Sequence, residues 1–227
     1  MIGTPPIRVI LGVLMCGRMT LTTPDLDAVA ELLEAELAPE HAALHHPRYN
    51  IAPTQLHFVA RQERKRELLP AGWGFVNPRG PLLVNARLET AATQPLFRDA
   101  FRHRRCVVPV DGFYEWTGEG RSRHPIWLHD PAGGLLLLGG LYRADGEGRL
   151  AFVVLTVPPS PEVATVHERM PLLLPASGIG PWRTAAVIVD PPSRLDGRPV
   201  SQRANSAAHD DSACLEPWSP EGQLSLI

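Results

Sequence analysis

The sequence predicts an α+β fold: a single compact domain with a mostly antiparallel, barrel-like sheet and a few short helices. Three observations lead there. Apolar runs of strand length recur at residues 106–110, 126–129, 135–141, 151–157 and 185–189. Turn signals such as Thr117-Gly118-Glu119-Gly120 and Asp145-Gly146-Glu147-Gly148 separate several of them. Strands dominate and do not alternate regularly with helical patterns, which argues against a parallel sheet wrapped by helices. The 24 prolines in 227 residues favour short elements and many turns over long helices.

Taken in order, the first clear element is a helix. Thr23 can cap it, Pro24 suits its first turn, and Leu26, Val29, Ala30 and Leu33 form an apolar stripe. The charged run from Arg61 to Glu67 reads as a solvated turn between strands. Leu82-Leu83-Val84 reads as a strand leading into Asn85. Residues 95–103 predict a second helix with Leu96, Phe97, Ala100 and Phe101 facing inward. A short helix is expected to begin at Ser160-Pro161 and to carry His167. No repeat and no long linker divides the chain.

With 44% hydrophobic and 20% charged residues, the chain is long enough to bury a full core. No apolar stretch approaches the ~18 residues of a membrane span. The formal net charge of −2 carries no whole-chain signal for nucleic acid. Lys65 is the only lysine, so any anion site must be built from arginine, which grips phosphate bidentately. The three cysteines, Cys16, Cys106 and Cys214, are far apart and lack metal-ligand spacing. Neither a metal site nor a disulfide framework is indicated, and a reducing, cytoplasmic setting fits. Cys106, inside an apolar run, is expected in the core.

Met15-Cys16-Gly17-Arg18 looks like the start of a protein. Aminopeptidase removes a Met that precedes a small residue, leaving a free α-amine beside a thiol. An α-amine has a pKa of about 7.7–8.0, against about 10.4 for lysine, so a useful fraction is neutral near pH 7. An N-terminal Cys16 is thus an amine nucleophile with a second nucleophile behind it. Residues 1–14 could be read as a signal, but they carry one arginine, Pro5-Pro6 ahead of the apolar run, and bulky Met15 before the cysteine. The expected organisation is a mis-assigned or removable extension over 1–14 and a single domain over 15–227.

Three further segments stand out by residue type: Asn85-Ala86-Arg87-Leu88-Glu89-Thr90, Gly112-Phe113-Tyr114-Glu115-Trp116 and His167-Glu168-Arg169-Met170-Pro171. Each alone fits a structural role, for instance core aromatics around Glu115. Together with Cys16, in this order, they resemble the SRAP (SOS-response-associated peptidase) family. The likeness extends to Arg48-Tyr49-Asn50-Ile51-Ala52-Pro53, Trp73-Gly74-Phe75, residues 105–109 and Gly139-Gly140-Leu141-Tyr142, and covers residues 15 to about 218.

The resemblance implies a compact α+β domain with a barrel-like core that senses abasic sites in single-stranded DNA. It implies Cys16 as nucleophile, Asn85, Glu115 and His167 as its catalytic companions, and Arg18, Trp73 and Arg87 as DNA contacts. No cofactor and no metal is implied. The partner is single-stranded DNA containing abasic sites, with no membrane association. The protein is expected to act as a cytoplasmic monomer that joins the nucleoid during DNA damage. One departure is Gly74-Phe75-Val76-Asn77-Pro78, where the family usually continues to a second tryptophan.

The chemistry implied is readable from the groups. A neutral amine adds to the aldehyde of an opened abasic sugar and loses water to give an imine, which the thiol closes to a thiazolidine. His167, with a reference pKa near 6.5, and Glu115 suit the proton transfers. Asn85 can hold amine or substrate without competing for protons. Two other readings remain at this stage. Glutamine amidotransferases also begin Met-Cys-Gly, which allows an N-terminal-nucleophile amidohydrolase. A non-catalytic nucleic-acid binder would need none of Cys16, Asn85, Glu115 and His167.

Overall fold

A computed structural model of the chain describes residues 16–145, 147–178, 180, 182 and 195–218. The extension over 1–14 and the strand expected at 185–189 lie outside the described residues. The chain runs through β1 (Met19–Leu21), α1 (Leu26–Leu32), β2 (Glu36–Leu37), α2 (Pro39–Ala42), β3 (Arg48–Ile51), β4 (Leu56–Gln62) and β5 (Arg66–Trp73). Next come β6 (Asn85–Arg87), α3 (Leu88–Ala91), α4 (Arg98–His103), β7 (Arg105–Val110), β8 (Gly112–Thr117) and β9 (His124–His129). The remainder is β10 (Leu136–Ala144), β11 (Leu150–Val157), α5 (Pro161–Ala164), β12 (Met170–Pro171), β13 (Leu173–Leu174) and β14 (Asp196–Pro199).

Five strands close a barrel in the order β11–β10–β7–β4–β5. Neighbours within that order are antiparallel, and the ring closes where β5 and β11 pair in parallel through Gly72 with Ala151 and Trp73 with Phe152. The barrel-like, mostly antiparallel α+β expectation is thereby met. β10 and β11 read as near-continuous apolar runs because they are buried along most of their length. Gly140 sits where β10 passes closest to its neighbours: a Cβ there would lie 3.0 Å from both the Cys106 sulfur and the Val153 carbonyl. Cys106 is fully buried, as expected.

A second, five-stranded antiparallel sheet runs β14–β9–β8–β1–β3. Its inner side joins the main core through Met19, Leu21, Ile51, Phe113, Ile126 and Leu128. Its outer side presents Tyr114, Trp116 and Trp127, packed against Val200, Ala204 and Cys214 of the C-terminal stretch. The period-2 alternation of β8 thus sends Phe113 to one side and Tyr114 and Trp116 to the other.

Several local expectations are corrected. The cap of α1 is Asp25, whose side chain accepts from the Ala28 amide, and not Thr23. Arg61 and Glu67 belong to the β4–β5 ladder, so only residues 63–65 turn. The stretch 82–84 forms only a bridge from Leu83 to Phe75, and the strand proper begins at Asn85. The helix expected at 95–103 starts at Arg98, which leaves Leu96 43% exposed. α5 ends at Ala164, so His167 lies in the loop that follows it.

Candidate active site

Cys16 is the first described residue and is fully buried. Its φ of +43° puts a non-glycine residue in the left-handed region, a conformation that costs roughly 1 kcal/mol or more and tends to persist where surrounding structure enforces it. Here Glu115 supplies that constraint. The Cys16 N–H donates to Glu115 Oε1 at 2.7 Å. β1 and β8 make the meeting possible: Met19 pairs with Phe113, and the Tyr114 amide donates to the Arg18 carbonyl at 3.1 Å. Asp111 anchors β1 further along by accepting from the Thr22 hydroxyl at 2.6 Å and from Thr20.

Electrostatics follow from the burial. Glu115 is 1% exposed, and desolvation pushes its carboxyl up to about 8, although the Cys16 N–H pulls the other way. A carboxyl with that pKa holds a proton at pH 7. Burial, and secondarily the Glu115 charge, push the Cys16 thiol well above its ordinary value. At neutral pH the thiol is therefore not a standing thiolate, and the carboxyl beside its nitrogen is an acid able to give and take a proton.

Asn85 and His167 are placed by β11. Asn85 pairs with Val154 along one side of that strand. On the other side, β12 pairs Pro171 with Thr156, which anchors the loop carrying His167. Arg169 joins the two segments: its guanidinium makes a two-pronged contact with the Glu89 carboxylate at 2.5 and 2.8 Å and donates to the Thr156 carbonyl at 2.7 Å. The Arg169 amide donates to His167 Nδ1 at 3.2 Å. That bond makes Nδ1 an acceptor, so the proton of the neutral ring sits on Nε2. Direct hydrogen bonding thus links Cys16 with Glu115, whereas Asn85 and His167 are tied to each other through β11 and the Glu89–Arg169 pair.

The three expected DNA contacts are placed very differently. Arg87 is exposed at the end of β6. Arg18 is half-buried; desolvation lowers its pKa, and its Nη1 donates to the Ala204 carbonyl at 2.8 Å. Trp73 lies in the core. It is 1% exposed, its indole N–H donates to the Val84 carbonyl at 3.0 Å, and its ring stacks on Phe152 at 6.1 Å. Its ring face is taken up by Phe152 and is not on the surface of the chain. Trp73→Ala is expected to cost about 3–5 kcal/mol of stability, measured by denaturant unfolding, as a core truncation does. A conservative Trp73→Phe that binds single-stranded DNA appreciably worse would contradict this placement.

A partly exposed aromatic close to Arg18 is Trp116, whose ring centroid lies 5.8 Å from the Arg18 guanidinium and 5.3 Å from that of Arg123. Sequence reasoning named Trp116 only as part of a motif. The signal available was its place one residue after Glu115 on a strand, hence on the opposite face.

The chain is thus a small α+β protein in which a closed β-barrel is flanked by a second sheet and a buried cysteine nitrogen is bonded to a buried glutamate. The family model for SOS response associated peptidase (SRAP) matches residues 15–206, and the chain belongs to that family. Among its relatives is the abasic site processing protein YobE of Bacillus subtilis (strain 168). It is 30% identical over 180 residues, spanning 74% of this chain and 81% of that one. The abasic site processing protein YedK of Escherichia coli (strain K12) is 26% identical over 223 residues, spanning 89% and 100%. A crystal structure of a protein from Bacteroides thetaiotaomicron superposes with a TM-score of 0.74 at 16% identity, covering 90% of this chain and all of that one, a likeness of fold.

Proposed function

We propose that this chain processes abasic sites in single-stranded DNA by covalent capture through Cys16. The single observation that carries the reading is the 2.7 Å contact between the Cys16 nitrogen and Glu115, a carboxyl raised to about 8. The relatives named as abasic site processing proteins support the substrate.

In this mechanism the Cys16 α-amine adds to the C1′ aldehyde of the opened sugar and forms a carbinolamine. Protonated Glu115 gives its proton to the departing hydroxyl, water leaves, and the carboxylate takes the proton of the resulting iminium to leave an imine. The thiol adds across the C=N bond: its sulfur bonds to carbon, its proton ends on nitrogen, and a five-membered thiazolidine closes. His167, with its Nε2 proton, assists ring opening of the sugar, and Asn85 orients the amine or the sugar. Arg18 and Arg87 contact flanking phosphates, and Trp116 takes over the base-stacking role once expected of Trp73.

The chemistry needs a free Cys16 amine. Either synthesis starts at Met15 and that methionine is removed, or the preceding residues are released at the same site. In the second case water adds to the Met15 carbonyl, the Cys16 nitrogen is the leaving group, and Glu115 protonates it as the new carboxyl group departs. The amidohydrolase alternative draws less support, because burial disfavours the Cys16 thiolate that such an enzyme would use.

The test uses two forms of the protein, one starting at Met15 and one at Met1, each incubated with a single-stranded oligonucleotide holding one abasic site. Denaturing gels and intact mass read the product. A heat-stable adduct carrying Cys16 as its first residue is expected. A cleaved Met1 form would identify self-processing, and no adduct from either form would sink the proposal.

A further inference from the structure

The stretch 201–218, distant in sequence from the reactive cysteine, is fastened across the outer face of the second sheet. Asn50, fully buried on β3, lies with its Nδ2 within reach of three of its carbonyls: His209 at 2.7 Å, Ser206 at 2.9 Å and Ala204 at 3.3 Å. In return Asp210 Oδ1 accepts the amides of Tyr49 (2.6 Å) and Asn50 (2.8 Å), while its other oxygen accepts from Arg48. The Val200–Pro217 bridge closes the base of the strap. Nothing in the proton chemistry described above requires so many bonds.

What the strap delivers is two side-chain positions. The Ala204 carbonyl accepts from Arg18, whose Nη1 also lies 3.4 Å from Asn50 Oδ1. The next residue, Asn205, accepts from the Trp116 indole N–H through its Oδ1 at 2.7 Å. An arginine and a tryptophan on a sheet surface would otherwise sample several rotamers, and ordering them on binding weakens affinity. Asn205 itself is exposed, so packing does not explain its bond to Trp116.

We infer that the strap is a positioning element for strand binding, in which Asn205 acts through Trp116 to hold the indole in one orientation beside Arg18 and Arg123 before DNA arrives. The inference rests on the abasic-site reading, because it takes the substrate to be a single DNA strand. It goes beyond that reading by assigning strand affinity to a segment that takes no part in the reaction at Cys16.

The experiment uses the full chain with a free Cys16 and an undamaged fluorescent single-stranded oligonucleotide, with Asn205→Ala, Trp116→Phe and the double variant. Kd comes from anisotropy, the capture rate from saturating abasic-site oligonucleotide, and Tm from thermal unfolding. Loss of one positioning hydrogen bond is expected to raise Kd about fivefold in Asn205→Ala. Its Tm and its capture rate at saturation stay at wild-type values. In the Trp116→Phe background, which already lacks the indole donor, Asn205→Ala has no further effect on Kd.

Three results would overturn the inference. An unchanged Kd in Asn205→Ala would remove the positioning role. An equal loss with and without the Trp116 indole would mean that Asn205 touches DNA by itself. A fall in Tm with no separate change in Kd would mean a merely structural strap. A wild-type protein that neither binds nor captures the oligonucleotides would overturn both this inference and the proposed function, and that control is read first.

Discussion

Cys16→Ser is expected to abolish the heat-stable adduct while leaving an imine that borohydride can trap. The serine keeps the α-amine and nearly the same volume in a fully buried position, so the fold and the first bond-forming step are retained. What is lost is the sulfur that closes the ring. Without it, the imine returns to amine and aldehyde on heating. The heat-stable product should fall by roughly 100-fold or more, the scale seen when an attacking atom is removed. The borohydride-trapped product should stay within a few-fold of wild type. A heat-stable adduct from Cys16→Ser in normal yield would exclude the thiazolidine.

Glu115→Gln should slow capture by about 10²–10⁴-fold, the range for a positioned acid–base group. The amide retains an oxygen able to accept the Cys16 N–H bond, so geometry is preserved and proton transfer is lost. Deprotonation of the amine raises the capture rate with pH in both proteins, whereas only wild type should lose rate again above about pH 8, where Glu115 releases its proton. Stability should move the opposite way. In the fold the carboxyl keeps its proton up to about pH 8, whereas in the unfolded chain it loses it near 4.5. Between those values the folded state binds the extra proton, so raising the pH destabilises wild type. The neutral amide of the variant carries no such penalty. Glu115→Gln is therefore expected to melt higher than wild type, by a margin that grows from pH 5 to pH 8, with each kcal/mol worth about 2–4 °C. Equal melting temperatures across that range would show that Glu115 is not held in its protonated form.

The two variants separate the two halves of the site. In the proposed mechanism one is expected to remove ring closure and spare the imine, and the other to slow the steps that create it. The stability gain expected in Glu115→Gln is the usual mark of a functional group kept in an environment that does not favour its charged form.

Much of the architecture was legible in the chain because strand periodicity and turn chemistry are local. The runs at 106–110, 126–129, 135–141 and 151–157 became β7, β9, β10 and β11 with edges moved by a few residues. β4 and β5 were not legible. Pro70 interrupts one, and both end in the charged run at 61–67 that mimics a solvated turn. Their strand character comes from pairing with each other and with the rest of the barrel, which no local pattern reports.

The residue types of the proposed site, Cys16, Asn85, Glu115 and His167, were set by the sequence alone, since chemistry depends on which groups exist and motifs preserve their order. Tertiary structure alone decided which groups touch and which face solvent. It put Glu115 against the Cys16 nitrogen, and burial there raised the carboxyl's pKa. It turned Trp73 into the core and left Trp116 on the rim, because neither can be told from a one-dimensional pattern in which any tryptophan serves equally well as core or platform. It also brought residues 204 and 205 onto Arg18 and Trp116, contacts separated by 186 and 89 positions. Long-range contacts of this kind arise only when sheets pack and their faces are assigned, and that assignment is a property of the folded chain.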